Sequence, residues 1–156
     1  MTTSLSTSTT AIIARTWHTM QSYRAGLSAG VARGLAHRGA DELPDRGNVA
    51  AVITDMLFDQ SREVAGLTPL QNIAETGRRH RARGITYEHY SGFGDNLSAV
   101  LTDLLGEQAS RSLRAAWGDI YWAIVRSVSP GPGNTERAAP RRLGNSDSRI
   151  YLEAAR

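Results

Sequence analysis

The stretch that decides the fold runs from Arg78 to Ile124 and reads RRHRARGITYEHYSGFGDNLSAVLTDLLGEQASRSLRAAWGDIYWAI. Within it, Tyr90, Phe93, Leu97, Val100 and Leu104 recur at intervals of three or four residues, with Leu101 beside Val100. That spacing puts them on one face of a helix running from about Glu88 to Leu105. Leu113, Ala116, Trp117, Ile120, Tyr121, Ile124, Val125 and Val128 form a wider apolar stripe, which predicts a second, well-buried helix.

Upstream, the segment from Pro69 to about Arg83 reads as a shorter helix. Thr68 and Gln71 have the spacing of a capping box, Pro69 suits the first helical position, and Gly84 suits the stop. Val49, Val52, Ile53, Met56 and Leu57 define another helix, from about Val49 to Val64. Ile12, Ile13, Trp17 and Met20 define one near the start of the chain. Leu27, Val31 and Leu35 suggest one more, weakened by Gly26, Gly30 and Gly34. Residues 39–47 read as a loop. Strand-type alternation and internal repeats are absent from the pattern. About six helices without a strand predict an all-α domain over residues 10–129. Residues 1–9 read as a flexible N-terminus. Residues 130–156 are rich in Pro, Gly and Arg, too poor in apolar area to offset ordering entropy, and are expected to be largely disordered.

Composition excludes several chemistries. The 156 residues contain no Cys, which removes disulfides, zinc fingers, iron–sulfur clusters and thiol nucleophiles. All 18 basic residues are Arg, so a phosphate-loop lysine and a Schiff-base lysine are also absent. The net charge of +3 is too small to argue for nucleic acid. Arg78, Arg79, Arg81 and Arg83 lack interleaved aromatics and suit a helix C-terminus instead. There is no apolar run long enough to cross a membrane and no secretory signal pattern, so a cytoplasmic location is expected. No nucleophile elbow and no paired carboxylates accompany the histidines. Trp17, Trp117 and Trp122 read as core anchors.

Of His18, His37, His80 and His89, one is unusual. His80 shares a helix face with Ile73 and Gly77, so its imidazole is directed into a helical core. Such a group is either a satisfied core histidine or an axial ligand to a metal or haem. Tyr90, on the inward face of the next helix, is placed to meet it. A ligating histidine commonly donates its other ring N–H to such a neighbour.

Taken together, these residues resemble the C-terminal half of a bacterial globin, most of all the flavohaemoglobins and single-domain bacterial haemoglobins. The matching positions are His80, Gly84-Ile85, Glu88, Tyr90, Phe93-Gly94, Leu97 to Leu101, Leu104-Leu105-Gly106, Ala116-Trp117 and Tyr121. A weaker likeness extends over residues 10–128. The resemblance implies a globin fold with haem b between packed helices and His80 as the iron ligand. It implies Tyr90 as the hydrogen-bond partner of His80, with Phe93, Leu97, Tyr121 and Ile124 lining the proximal side and floor. Val52 and Met56 would face the haem from the other side, with Asn48 in the place of the family's distal glutamine. One or two of the α-helical arginines, and His89, would be available to haem propionates.

The implied role is binding of a diatomic gas (oxygen, nitric oxide or carbon monoxide) at the open iron position. Departures from the family pattern are also legible. The flavin- and nicotinamide-binding reductase of flavohaemoglobins has no counterpart here, so a separate reductase is expected, and nitric oxide dioxygenase activity would depend on it. The glutamate that partners the family's tyrosine falls near Asn134 and Glu136. The family's Phe-Tyr pair, whose tyrosine contacts bound oxygen, falls on Val31 and Ala32, and its haem-packing phenylalanine has only Leu43 nearby. The alternative expectation is a divergent globin-fold sensory or interaction module with weak haem binding or none.

Overall fold

The computed structural model describes residues 4–43 and 48–129. The expected tail, with Asn134 and Glu136, lies outside the described residues. Among the described residues six α-helices follow in order: α1 (Thr7–Gln21), α2 (Arg24–Ala36), α3 (Val49–Ser61), α4 (Ile73–Ala82), α5 (Tyr87–Leu105) and α6 (Arg111–Val128). A single 3-10 turn, Gly106–Gln108, joins the last two. Among the described residues there is no strand; Glu42 and Asn48 form one isolated bridge.

Helices α5 and α6 form where the apolar periodicity places them. Phe93, Leu97 and Leu101 of α5 are buried, as are Trp117, Ile120, Tyr121 and Ile124 of α6. The start of α5 is closed by Thr86 and His89. The His89 Nδ1 accepts from the Thr86 N–H at 2.9 Å, in the position that a Glu or Gln usually fills. Helix α1 packs along α6 and starts at Thr7, with Ser6 as its cap. Thr9 is buried in that first turn and its hydroxyl donates to Asp119 of α6 at 3.3 Å. The Trp17 indole N–H donates to the Ser61 hydroxyl at 3.0 Å, which ties α1 to the end of α3.

The three glycines of α2 are contacts. A Cβ on Gly30 would lie 2.6 Å from Val100 Cγ1, and one on Gly34 would lie 2.1 Å from Asn96 Oδ1. Gly26 meets Leu104 in the same way. Residues that read as helix weakeners therefore form the face on which α2 crosses α5. A helical glycine costs about 0.5–1 kcal/mol relative to alanine, which the closeness of this crossing offsets.

Helix α4 departs from the sequence expectation. It begins at Ile73, not Pro69, and Thr68 with Gln71 forms no capping box. Asn72 is the cap, its side-chain oxygen accepting from the Ala74 N–H at 2.8 Å. The reason lies upstream. The Asp59 carboxylate of α3 accepts from the N–H groups of Leu70 at 2.7 Å and Gln71 at 3.1 Å. Those amides would otherwise have opened the helix; the carboxylate holds them in a non-helical link. Gly84 ends α4 with φ +93°, as its position predicts. Helix α4 lies on the last turn of α6, where Gly77 permits close approach: a Cβ there would be 3.1 Å from the Val128 carbonyl oxygen.

Two glycine substitutions separate these effects. Gly30→Ala pushes a methyl into Val100, whose branched side chain has little rotamer freedom. It should lower the unfolding free energy by about 1–3 kcal/mol in urea titrations. Gly118→Ala in α6, where a Cβ meets nothing within 4 Å, should raise it by about 0.5–1 kcal/mol. Equal gains at both sites would contradict the close crossing.

Candidate functional site

Helix α3 packs against α2 and α4 against α6. Together they wall a cleft of about 370 Å³. One wall carries Val52, Met56 and Phe58 of α3; the other carries Thr76, Arg79 and His80 of α4, with Arg83 just beyond. Leu70 and Gln71 of the link close one side, and Gln21 and Arg24 reach in from the α1–α2 corner.

His80 is 6% exposed, and its Nδ1 lies 2.7 Å from the Tyr90 hydroxyl. The two rings are inclined by 25°. Tyr90 is itself buried and fixed from behind: the Tyr121 hydroxyl donates to the Tyr90 carbonyl at 2.6 Å. Tyr121 in turn stacks on Phe93 with ring centroids 5.0 Å apart. Burial pushes both tyrosine hydroxyls up, so each stays protonated at neutral pH. Burial also lowers His80 to about 4, with the Arg83 charge adding to the effect. The imidazole is therefore neutral at pH 7. Nδ1 is engaged by Tyr90, and Nε2 is the nitrogen that this contact leaves unused. A neutral imidazole is the form that ligates metals.

The sequence-predicted site residues distribute as follows. Val52, Met56 and His80 line the cleft, and Tyr90 stands directly behind His80. Phe93, Leu97, Tyr121 and Ile124 are buried in the core and are not part of the cleft lining. Phe93 and Tyr121 support Tyr90. Asn48 is exposed and caps α3, its side-chain oxygen accepting from the Ala51 N–H at 3.1 Å. Val31 is fully buried and Ala32 half-buried, and neither reaches the cleft; Leu43 is a core residue. His89 is held in the α5 cap.

Some cleft residues had not been expected. Asp55 and Asp59 lie three and seven residues after Val52, so the spacing of that face could have found them. Arg24 has no local signal. Its guanidinium bonds the Asp55 carboxylate and lies 5.5 Å above the Phe58 ring, a placement set by how α2 meets α3.

The globin family model matches residues 44–128. The chain belongs to the globin family. Relatives include Flavohemoprotein A of Dictyostelium discoideum, 26% identical over 82 residues, which are 52% of this chain and 21% of that protein. A neuroglobin of Tetraodon nigroviridis is 36% identical over 55 residues, 35% of each chain. A neuroglobin of Dissostichus mawsoni is 26% identical over 83 residues, 51% of this chain and 52% of that protein. The matched stretches thus span between about a fifth and a half of these relatives. No solved structure matches this globin. Among the described residues no helix is long and apolar enough to cross a membrane.

The buried imidazole makes the stability of the haem-free globin pH-dependent. His80 titrates near 6.5 when unfolded and at about 4 when folded. Its neutral form supports the fold fully above pH 6.5. As pH falls from there towards 4, the unfolded chain binds the proton first and stability is lost. Urea midpoints measured across this window should fall more steeply for the natural sequence than for His80→Gln. Parallel curves would show that His80 is not held neutral.

Proposed function

We propose that this globin holds a b-type haem through His80 Nε2 and binds a diatomic gas (oxygen, nitric oxide or carbon monoxide) at the iron. The observation that carries the reading is the buried His80–Tyr90 pair opening onto the α3–α4 cleft. The residues present fit the group. A neutral imidazole with one nitrogen already secured is a ready axial ligand. Val52 and Met56 supply an apolar wall, and Arg79 and Arg83 supply cations at the rim that suit carboxylates. The absence of Cys from the chain leaves no thiol for covalent haem attachment, which favours haem b. Bound haem would supply the iron and its open coordination position.

The protein's own contribution is positional. With Nε2 given to a metal, Nδ1 must carry the ring proton and donate it to the Tyr90 oxygen. That contact fixes both the tautomer and the ring plane. The Tyr121 hydroxyl, bonded to the Tyr90 carbonyl, holds the main chain from which the Tyr90 phenol projects. Val52 and Met56 would present an apolar face to the bound group from the opposite wall. A separate reductase is the expected electron source, in a cytoplasmic setting, and nitric oxide dioxygenation would depend on it.

One observation favours the second reading, a sensory or interaction module with weak haem binding. Asn48 is spent on the α3 cap, and Val31 and Ala32 do not reach the cleft, so the helical positions of the family's distal donors place no hydrogen bond there.

Haem titration of the purified protein separates the readings. A stoichiometric Soret band is expected for the natural sequence. It should be lost or greatly weakened in His80→Ala and unchanged in His18→Ala, whose ring sits edge-on to Trp17 away from the cleft. No haem uptake by the natural sequence would favour the second reading. A further variant tests the distal side. Asn48→Ala should cost about 1 kcal/mol of stability as a lost cap. It should leave the oxygen dissociation rate within about twofold, since an active distal hydrogen bond would be worth far more.

A further inference from the structure

A dense group of arginines lies on α4 and its C-cap. Residues 75–83 hold Arg78, Arg79, Arg81 and Arg83 against the single acid Glu75. Their net charge of +3 equals that of the whole chain. This is the helix that carries His80. Arg78, Arg79 and Arg81 are exposed, and Arg79 and Arg83 border the cleft. Glu75 approaches Arg78 at 2.5 Å and Arg79 at 3.8 Å, with side chains 44–62% exposed, so this pairing is solvated and weak. The acids of the facing wall are already used. Asp55 bonds Arg24, and Asp59 holds the amides of Leu70 and Gln71.

A second feature adjoins the same cleft. Leu70 lines it and is 79% exposed, the most exposed large apolar side chain among the described residues. An apolar anchor within a charged rim is the anatomy of a protein–protein contact. It gives no advantage to a site that tracks a phosphate backbone, where stacking aromatics would serve instead.

We propose that the α4 arginine face, with Leu70 as its apolar anchor, docks an acidic electron-donor protein. The inference rests on the haem reading above. One electron leaves the donor's reduced centre and ferric iron becomes ferrous; no atom is transferred. Arginine suits this task because its planar fork meets partner carboxylates bidentately. Charge gathered beside a redox centre also steers oppositely charged partners to it, raising encounter rates roughly 10–10³-fold at low salt.

The test uses the haem-loaded full chain, with the Soret band recorded first. The ferrous protein is oxidised by ferricyanide, a trianion, or by tris(phenanthroline)cobalt(III), a trication. The ferricyanide rate should fall about tenfold between roughly 0.01 and 0.5 M salt, and the cobalt rate should rise. Arg78→Glu should weaken the ferricyanide response. Arg111→Glu should not, because it lies at the start of α6, about 25 Å along that helix from Val128 and α4. Reduction of the ferric protein by a reduced plant-type ferredoxin, an acidic one-electron carrier, should slow in both Arg78→Glu and Leu70→Ser.

Equal salt responses for the two inorganic probes, or an Arg111→Glu effect as large as that of Arg78→Glu, would overturn the docking surface alone. So would salt-sensitive binding to duplex DNA or to phosphatidylglycerol vesicles that Arg78→Glu abolishes. A chain that takes up no haem overturns the haem reading and this proposal together.

Discussion

Helix α4 has almost no apolar surface of its own to bury. Its buried residues are Thr76, Gly77 and His80, and Ile73 at its start is only half-buried. Burial of hydrocarbon, which fixes the other helices, cannot fix this one. Polar contacts do so instead. The His80 ring meets the Tyr90 hydroxyl, the Arg81 guanidinium donates to the Val128 carbonyl at 3.1 Å, and the His80 carbonyl accepts from the Ile85 N–H at 2.9 Å. Val128 ends α6, so its carbonyl has no partner within its own helix, and a cation at that end also meets the helix dipole favourably. Bonds of this kind are each worth about 0.5–1.5 kcal/mol. The position of α4 therefore depends on α5 and α6 being rigid before it docks. Their apolar stripes, with Trp117, Tyr121, Phe93 and Leu101 fully buried, make them so.

That division of labour explains what could be read from the sequence. Helices α5 and α6 were legible because each carries a long apolar stripe whose period belongs to the helix itself. The His80–Tyr90 pair was legible because both residues sit on inward faces of consecutive helices. The start of α4 was not, because the decisive group is Asp59, ten or more residues upstream. A local reading of Thr68, Pro69 and Gln71 cannot see a carboxylate arriving from another helix. Arg24 was hidden for the same reason: its place in the cleft follows from the angle between α2 and α3. The core residues Phe93, Leu97, Tyr121 and Ile124 were legible as inward-facing; what they face depends on packing. Two of them act through Tyr90.

The two walls of the cleft differ in kind. The α3 wall joins an apolar strip, Val52 and Met56, to two carboxylates already engaged, Asp55 by the Arg24 guanidinium and Asp59 by backbone amides. The α4 wall is a single buried neutral base with guanidinium groups outside it. A flat ligand with an apolar body and an anionic edge matches both walls in one orientation. Arg78, Arg79 and Arg81 lie on the exposed side of α4, where solvent and any partner meet them first.

The crossing of α2 over α5 has a consequence for how this chain can change. At Gly26, Gly30 and Gly34 the space that a side chain would occupy is already filled by Leu104, Val100 and Asn96 of the other helix. Volume at each crossing point is shared, so the two positions behave as one variable. An added methyl on α2 is tolerable only when the facing α5 side chain gives up a similar volume, as alanine at both 30 and 100 would. Substitutions here are therefore non-additive: each alone is unfavourable, and the pair is less so than the sum. Drift in either helix is channelled into paired exchanges, and the separation of the two axes outlasts the identity of the residues that set it.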